Sequence, residues 1–300
     1  MHPDIEDPPV YEGPFLRGVA QIKTLSTALQ VFSKGLESAT REVEAIKKTN
    51  AKAKKARRAE RDIRDPLEVA YEEEDEQERL IWAEQRAKFA ADQLSNGSPY
   101  LFSLGTIRLW GILEAEVDDS VAELIRTREA VRKRPPFEKL TVPFQDYSEA
   151  PIEEQSAIVC RALKDSVGAA KKSGVKRFEV LLEPVGLVGP YDKDIQRTVS
   201  EMSAFRHVLV HRDGIVDARM LLQCPWLNLT KGDRIVVDSR KFHRFAQSAE
   251  WLLLEYRRRL REFDREPVET DHVSTQSILA ALVADVLPRE KKWPPKATPT

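Results

Sequence analysis

The chain of 300 residues has only two cysteines, Cys160 and Cys224, both in apolar sequence settings. That is too few for a disulfide framework or a four-cysteine zinc site, and a buried, reduced thiol is the expected state of each. The sequence also lacks any run of about 18 uncharged apolar residues, the length a membrane-spanning helix needs. Its start, MHPDIEDPPVYEGP, is acidic and proline-rich, without the basic region and apolar stretch of an export signal. A soluble protein of the reducing cytoplasm is therefore expected, with no membrane partner. Charge of one sign is missing as well: 48 basic residues face 49 acidic ones, a net of −1, so any argument for nucleic acid must be local. No G-x-x-x-x-G-K-[ST], helix-opening G-x-G-x-x-G, H-E-x-x-H or G-x-S-x-G occurs, which disfavours phosphate-loop nucleotide hydrolases and zinc proteases. What is present is 41% apolar residues, enough for a buried core in one or two domains.

The apolar residues repeat with helical period over most of the chain. Ile22, Leu29, Leu36 and Val43 recur every seven residues, with Leu25, Phe32, Ala39 and Ile46 between them, which predicts a heptad seam. Its flanks are Ser, Thr, Ala and Gly, so a helix in a bundle or an antiparallel pair fits better than a charge-directed parallel zipper. Lys47, Lys48, Lys52, Lys54, Lys55, Arg57, Arg58, Arg61 and Arg64 follow, and then the acidic run Glu72–Glu76, able to neutralise them. The basic stretch can track phosphates, but no aromatic interleaves it to stack bases, so a solvated helix face or linker is the favoured reading.

Further helices are expected from Leu80 to Leu94, from about Tyr100 to Arg132, over 152–172, from Asp192 to about Val210, and from Asp238–Ser239 to about Arg265. Residues 177–190 read as an irregular or partly extended loop. Ile215–Asp217 and Arg234–Val237 read as two short extended segments. The resulting organisation is a disordered N-terminus over 1–14, a helical arm with its basic stretch over 15–75, a helical bundle over 76–270, and a short helix with a disordered tail over 271–300. The fold class is mainly α with a small β insertion.

The stretch most informative about chemistry is Ser203-Ala-Phe-Arg206-His207-Val-Leu-Val-His211-Arg-Asp-Gly214-Ile-Val-Asp217. His207 and His211 share a helix face and can hold a metal only with a third ligand, which Asp217, Cys224 or a carboxylate elsewhere could supply, none with telling spacing. An imidazole that exchanges protons near neutrality beside an arginine that grips phosphate suits phosphodiester cleavage without a metal. Arg206 and His211 lie roughly 140° apart on an ideal helix. A wrapped arginine, a loosened helix end near Gly214, or a second copy across a two-fold axis would reconcile them, and the last predicts a dimer. The plain alternative is structural, with the arginine in a surface ion pair and the histidine at a helix C-terminus where the dipole favours its charge.

Arg206-x4-His211 near a helix end, a polar residue directly after the arginine, and the following Gly214-x-x-Asp217 together resemble the signature of the HEPN superfamily (higher eukaryotes and prokaryotes nucleotide-binding), in particular its RiboL-PSP and abortive-infection groups. The motif covers about fifteen residues, and the architectural likeness spans 80–265. The resemblance implies an up-and-down bundle of about four or five helices that dimerises, and a metal-independent ribonuclease of toxin–antitoxin or antiviral defence systems. It makes Arg206 and His211 the catalytic pair, His207 an auxiliary or substrate-positioning residue and Glu114 an acidic residue offered to the cleft from an early helix. For Glu114, a salt bridge beside a buried Trp110 is an equally good reading. The implied partners are RNA, a second copy and a cognate antitoxin or defence protein, with no cofactor and no metal. Because some members bind without cleaving, a non-catalytic binding or scaffolding module is the alternative.

Overall fold

The structure, a computed structural model, describes residues 13–59, 65–265 and 275–280. The expected disordered N-terminus over 1–14, apart from its last two residues, and most of the 271–300 tail lie outside these. So do Arg61 and Arg64 of the basic stretch. The described residues are mainly helical. In chain order they form α1 (Pro14–Ala59), α2 (Pro66–Ser95), α3 (Pro99–Thr127), α4 (Glu129–Arg132), α5 (Phe144–Glu149), α6 (Ile152–Ser166), α7 (Lys176–Val185), α8 (Lys193–His211), α9 (Ala218–Gln223) and α10 (Ser239–Asp264). Residues 275–280 are helical as well. No described helix is long and apolar enough to cross a membrane.

Two compact units divide the chain. One comprises residues up to Thr24, Thr106–Ile235 and His243 onward; the other comprises Leu25–Gly105 and Val236–Phe242. Residue 76, where the bundle was expected to open, lies inside α2, and all of α2 belongs to the second unit, whose first segment ends at Gly105 within α3. In this second unit the later part of α1 and α2 run antiparallel, as ion pairs of Glu42 with Arg86, Lys47 with Glu84 and Arg57 with Glu76 show. The inward stripe of α2 is built of small residues, with Ala83 and Ala90 fully buried, while Trp82 and Phe89 face outward. The heptad seam is dry at Leu29 but opens at Phe32, 62% exposed. Basic and acidic runs do meet: Arg57 donates to both carboxylate oxygens of Glu76 at 2.7 Å. That fork raises the Arg57 pKa and lowers that of Glu76. The turn into α3 follows the Ser95–Pro99 break, with Gly97 left-handed at φ 77°.

In the first unit, Leu109, Leu113, Val117, Val121 and Leu124 form one dry stripe of α3, as their spacing predicts. α8 starts where Asp192 accepts the N–H groups of Asp194 and Ile195; α10, whose first residues to Phe242 belong to the second unit, starts where Asp238 accepts the N–H of Lys241. Phe205 of α8 meets Phe245 of α10 edge-on, with centroids 5.6 Å apart. Two expectations fail here. Residues 177–190 are not a loop at their start: α7 forms because Phe178, Leu181, Leu182 and Val185 recur at helical spacing and are all buried. Its end is a Schellman closure, with Gly186 left-handed and Leu187 N–H donating to the Leu182 carbonyl at 2.9 Å. The small β insertion is also absent among the described residues as strands. A single antiparallel bridge joins Ile215 to Arg234, and the short α9 occupies the space between the two segments in sequence. Both cysteines are free and buried; burial pushes the Cys160 thiol up to about 12.

Two buried charge clusters brace this unit. Arg17 grips Glu116, 1% exposed, through two donors at 3.0 and 2.9 Å. Burial still holds the Glu116 carboxyl above its ordinary pKa against that pull. Arg259, 3% exposed, donates to Glu255 at 2.9 Å and to the Pro190 carbonyl at 2.8 Å, and its guanidinium covers the Tyr191 ring at 4.3 Å. Gly189 admits it, since a Cβ there would stand 2.8 Å from the Arg259 Nε. Arg259→Met removes a buried partner of Glu255 while leaving Arg258 in place, so urea unfolding is expected to show a loss on the order of 3 kcal/mol, the low end for breaking a buried pair.

Candidate functional site

α8 presents two different sides. Ile195, Val199, Met202, Phe205 and Val208 are buried, and the side left over carries Ser203, Arg206, His207 and His211. The helix ends at His211; Asp213 and Gly214 turn left-handed, and the Gly214 N–H returns to the Val208 carbonyl at 2.9 Å. Asp217 then caps α9, its Oδ1 accepting the Met220 N–H at 2.8 Å. This closure brings α9 back against the polar side of α8.

The result is a polar cleft of about 220 Å³. α8 contributes Ser203, Arg206, His207 and His211, and α9 contributes Arg219 and Gln223. From α3 come Trp110 and Glu114, and from the segment leading into α7 come Ala170, Lys172 and Arg177. All four residues expected at a site, Arg206, His207, His211 and Glu114, therefore line one cleft of a single chain. The angular separation of Arg206 and His211 does not keep them apart: both line one cleft of a single chain at the C-terminal end of α8.

Cations outnumber anions in this space. Lys172, Arg177, Arg206 and Arg219 face one lining carboxylate, Glu114, which already accepts from Arg177 Nε at 2.6 Å. Glu114 is thus neutralised and works as an anchor that aims Arg177; Trp110 beneath it is 3% exposed and packs on Phe178 at 5.2 Å. The imidazoles of His207 and His211 stand 5.0 Å apart, tilted by 52°. His207 Nε2 lies 3.9 Å from Asp217 Oδ2, which also faces Arg212 Nε at 3.8 Å. Burial pushes the His207 pKa below its ordinary value; Arg219, His211 and Arg206 push the same way and Asp217 opposes them. A neutral imidazole beside cations can accept a proton or a hydrogen bond, and the surplus positive charge favours a phosphate. Among the described residues, no group of three or more His, Cys, Asp or Glu side chains is placed to hold a metal ion.

Arg177, Lys172, Arg219 and Gln223 were not expected at the site. Arg177 was hidden inside a segment read as a loop, although the spacing of Phe178, Leu181, Leu182 and Val185 between Gly174 and Gly186 is a helical signal. The others carry no signal in sequence, because their proximity arises from the return of α9 and the approach of residues 170–177. No family model, no curated protein and no solved structure matches the chain.

NMR titration is expected to place the His207 midpoint below the ordinary value of 6.5. Arg219→Gln raises it and Asp217→Asn, which keeps the cap, lowers it further. Because the folded state binds this proton less readily than the unfolded one, the histidine's effect on stability is neutral above the unfolded value. It becomes destabilising as the pH falls through that value toward the folded one.

Proposed function

We propose that this protein is a metal-independent RNA endonuclease of HEPN type, acting in bacterial defence or as part of a toxin–antitoxin pair. The observation that carries the reading is the convergence of Arg206, His207 and His211 with Arg177, Lys172 and Arg219 in one polar cleft. In this reading α3, α6, α7, α8 and α10 are the bundle of the family. His211, the more exposed imidazole, takes the proton from a ribose 2′-hydroxyl, and the freed oxygen attacks phosphorus. Arg206 holds the non-bridging oxygens while charge builds on them. The bond to the 5′-oxygen breaks, an imidazolium returns a proton to that oxygen, and a cyclic phosphate is left. His207, kept neutral, positions the phosphate by a hydrogen bond, and Glu114 acts only through Arg177.

Support comes from charge, placement and the type of side chain. The resemblance of Arg206-x4-His211 and Gly214-x-x-Asp217 supplies the reaction class. A homodimer belongs to the reading, with a second bundle extending the RNA track, as does a cognate antitoxin or defence partner.

Two experiments test this. Arg206→Ala and His211→Ala should each lower RNA cleavage by purified protein at least a hundredfold, with unchanged circular dichroism and with wild-type cleavage insensitive to EDTA. Wild-type protein that cleaves no RNA in extracts or in an inducible host would replace the nuclease with the binding-module alternative. Light scattering at micromolar concentration should give twice the 34.2 kDa chain mass; the single mass would remove the dimer from the reading while leaving the cleft chemistry in place.

A further inference from the structure

A second surface feature lies on the same helix as the cleft. Trp226, in the loop after α9, keeps 36% of its surface exposed although it is held at both its edge and its face. Its indole N–H donates to Glu201 Oε1 at 2.7 Å, and Glu201, on α8, is only 5% exposed. The guanidinium of Arg197, one turn earlier on α8, lies over the ring at 5.0 Å from its centroid. Gln223, three residues before Trp226, lines the cleft and donates to the Ser200 carbonyl at 3.0 Å, tying the Trp226 loop to α8.

A tryptophan serving only the core would be buried, as Trp110 and Trp251 are at 3% and 6%. Here a buried carboxylate instead fixes the plane of a ring that remains open to solvent. A ring held this way loses little freedom when something stacks on it. The neighbouring cation adds attraction for a phosphate. Glu201 and His207 are separated by six positions, about 9 Å along the helix axis at 1.5 Å per residue. The ring is thus anchored on α8 less than two helical turns from Arg206, and Gln223 of the same segment lines the cleft.

We propose that Trp226 and Arg197 form a nucleobase-stacking subsite for single-stranded RNA, with Trp226 stacking one base and Arg197 contacting the adjoining phosphate. This rests on the ribonuclease reading of the cleft and adds to it a strand direction, from the cleft along α8 toward its N-terminal half. Stacking on an indole tolerates any base and is stronger for purines, so the subsite favours purines without reading a sequence.

The test uses the full chain carrying His211→Ala, so that RNA is bound and not cut, with a short fluorescein-labelled oligoadenylate and the matching abasic ribose-phosphate oligomer as probes. Anisotropy should show that Trp226→Ala weakens oligoadenylate binding about tenfold and leaves the abasic probe within twofold, while Trp226→Phe keeps most of the affinity. Arg197→Gln should weaken both probes. Equal weakening of both probes by Trp226→Ala would assign the ring a structural role and overturn the proposal; Trp226→Leu, which keeps apolar bulk without an aromatic face, serves the same comparison if the alanine variant fails to fold. If Trp226→Ala binds oligoadenylate like its parent while Arg206→Ala does not, the stacking subsite falls and the ribonuclease reading stands. If the parent binds neither probe, both fall.

Discussion

The edge-on contact of Phe205 with Phe245 is the interaction on which the cleft depends. It sits midway along the dry side of α8, among Met202 and Val208, and fixes both the rotation and the height of that helix against α10. A helix rotated by one residue turns its side chains by about 100°, which would carry Arg206 and His207 out of the cleft and bring apolar groups into it. The chemistry available to this protein therefore follows from apolar packing: the polar residues occupy the side of α8 that the core does not claim.

Electrostatics then decides what each polar residue can do. Glu114 enters the cleft as a carboxylate, but its short bond to Arg177 occupies it, so its part is to hold Arg177 in place. His207 has an aspartate nearby, yet that aspartate is shared with Arg212 and with the N–H of Met220, and partial burial plus the surrounding cations outweigh it. Burial first, and then the same charge excess that would recruit an anion, hold the His207 pKa down. Removing one of these arginines therefore weakens the attraction for an anion and relaxes part of the push on His207 at once.

Much of this architecture is legible in the sequence, for identifiable reasons. α3, α8 and α10 carry regular apolar spacing, and α8 and α10 open on the acidic caps Asp192 and Asp238, so period and capping suffice to place them. α7 is missed because Pro184 and Gly186 suggest a loop, whereas Pro184 lies in the last turn and Gly186 closes the helix left-handed. The two extended segments meet at one antiparallel bridge, and among the described residues no further strand pairing builds it into a ladder. At the site, three residues of one short stretch of α8 could be named because they share a helix. Arg177, Lys172 and Arg219 could not, because they reach the cleft from segments whose approach is a matter of tertiary packing. The arm shows the same limit: its basic and acidic runs are visible as a complementary pair, but the outward placing of Trp82 and Phe89 follows from alanines taking the contact face, which composition alone does not reveal.

The two cysteines have a practical consequence. Burial pushes the Cys160 thiol up to about 12, and Cys224 is 1% exposed, so both are poor targets for alkylating and disulfide-forming reagents while the chain stays folded. A cysteine introduced on the surface would then be the one reactive thiol, and the native protein already provides the blank background that site-specific labelling ordinarily has to be engineered to obtain.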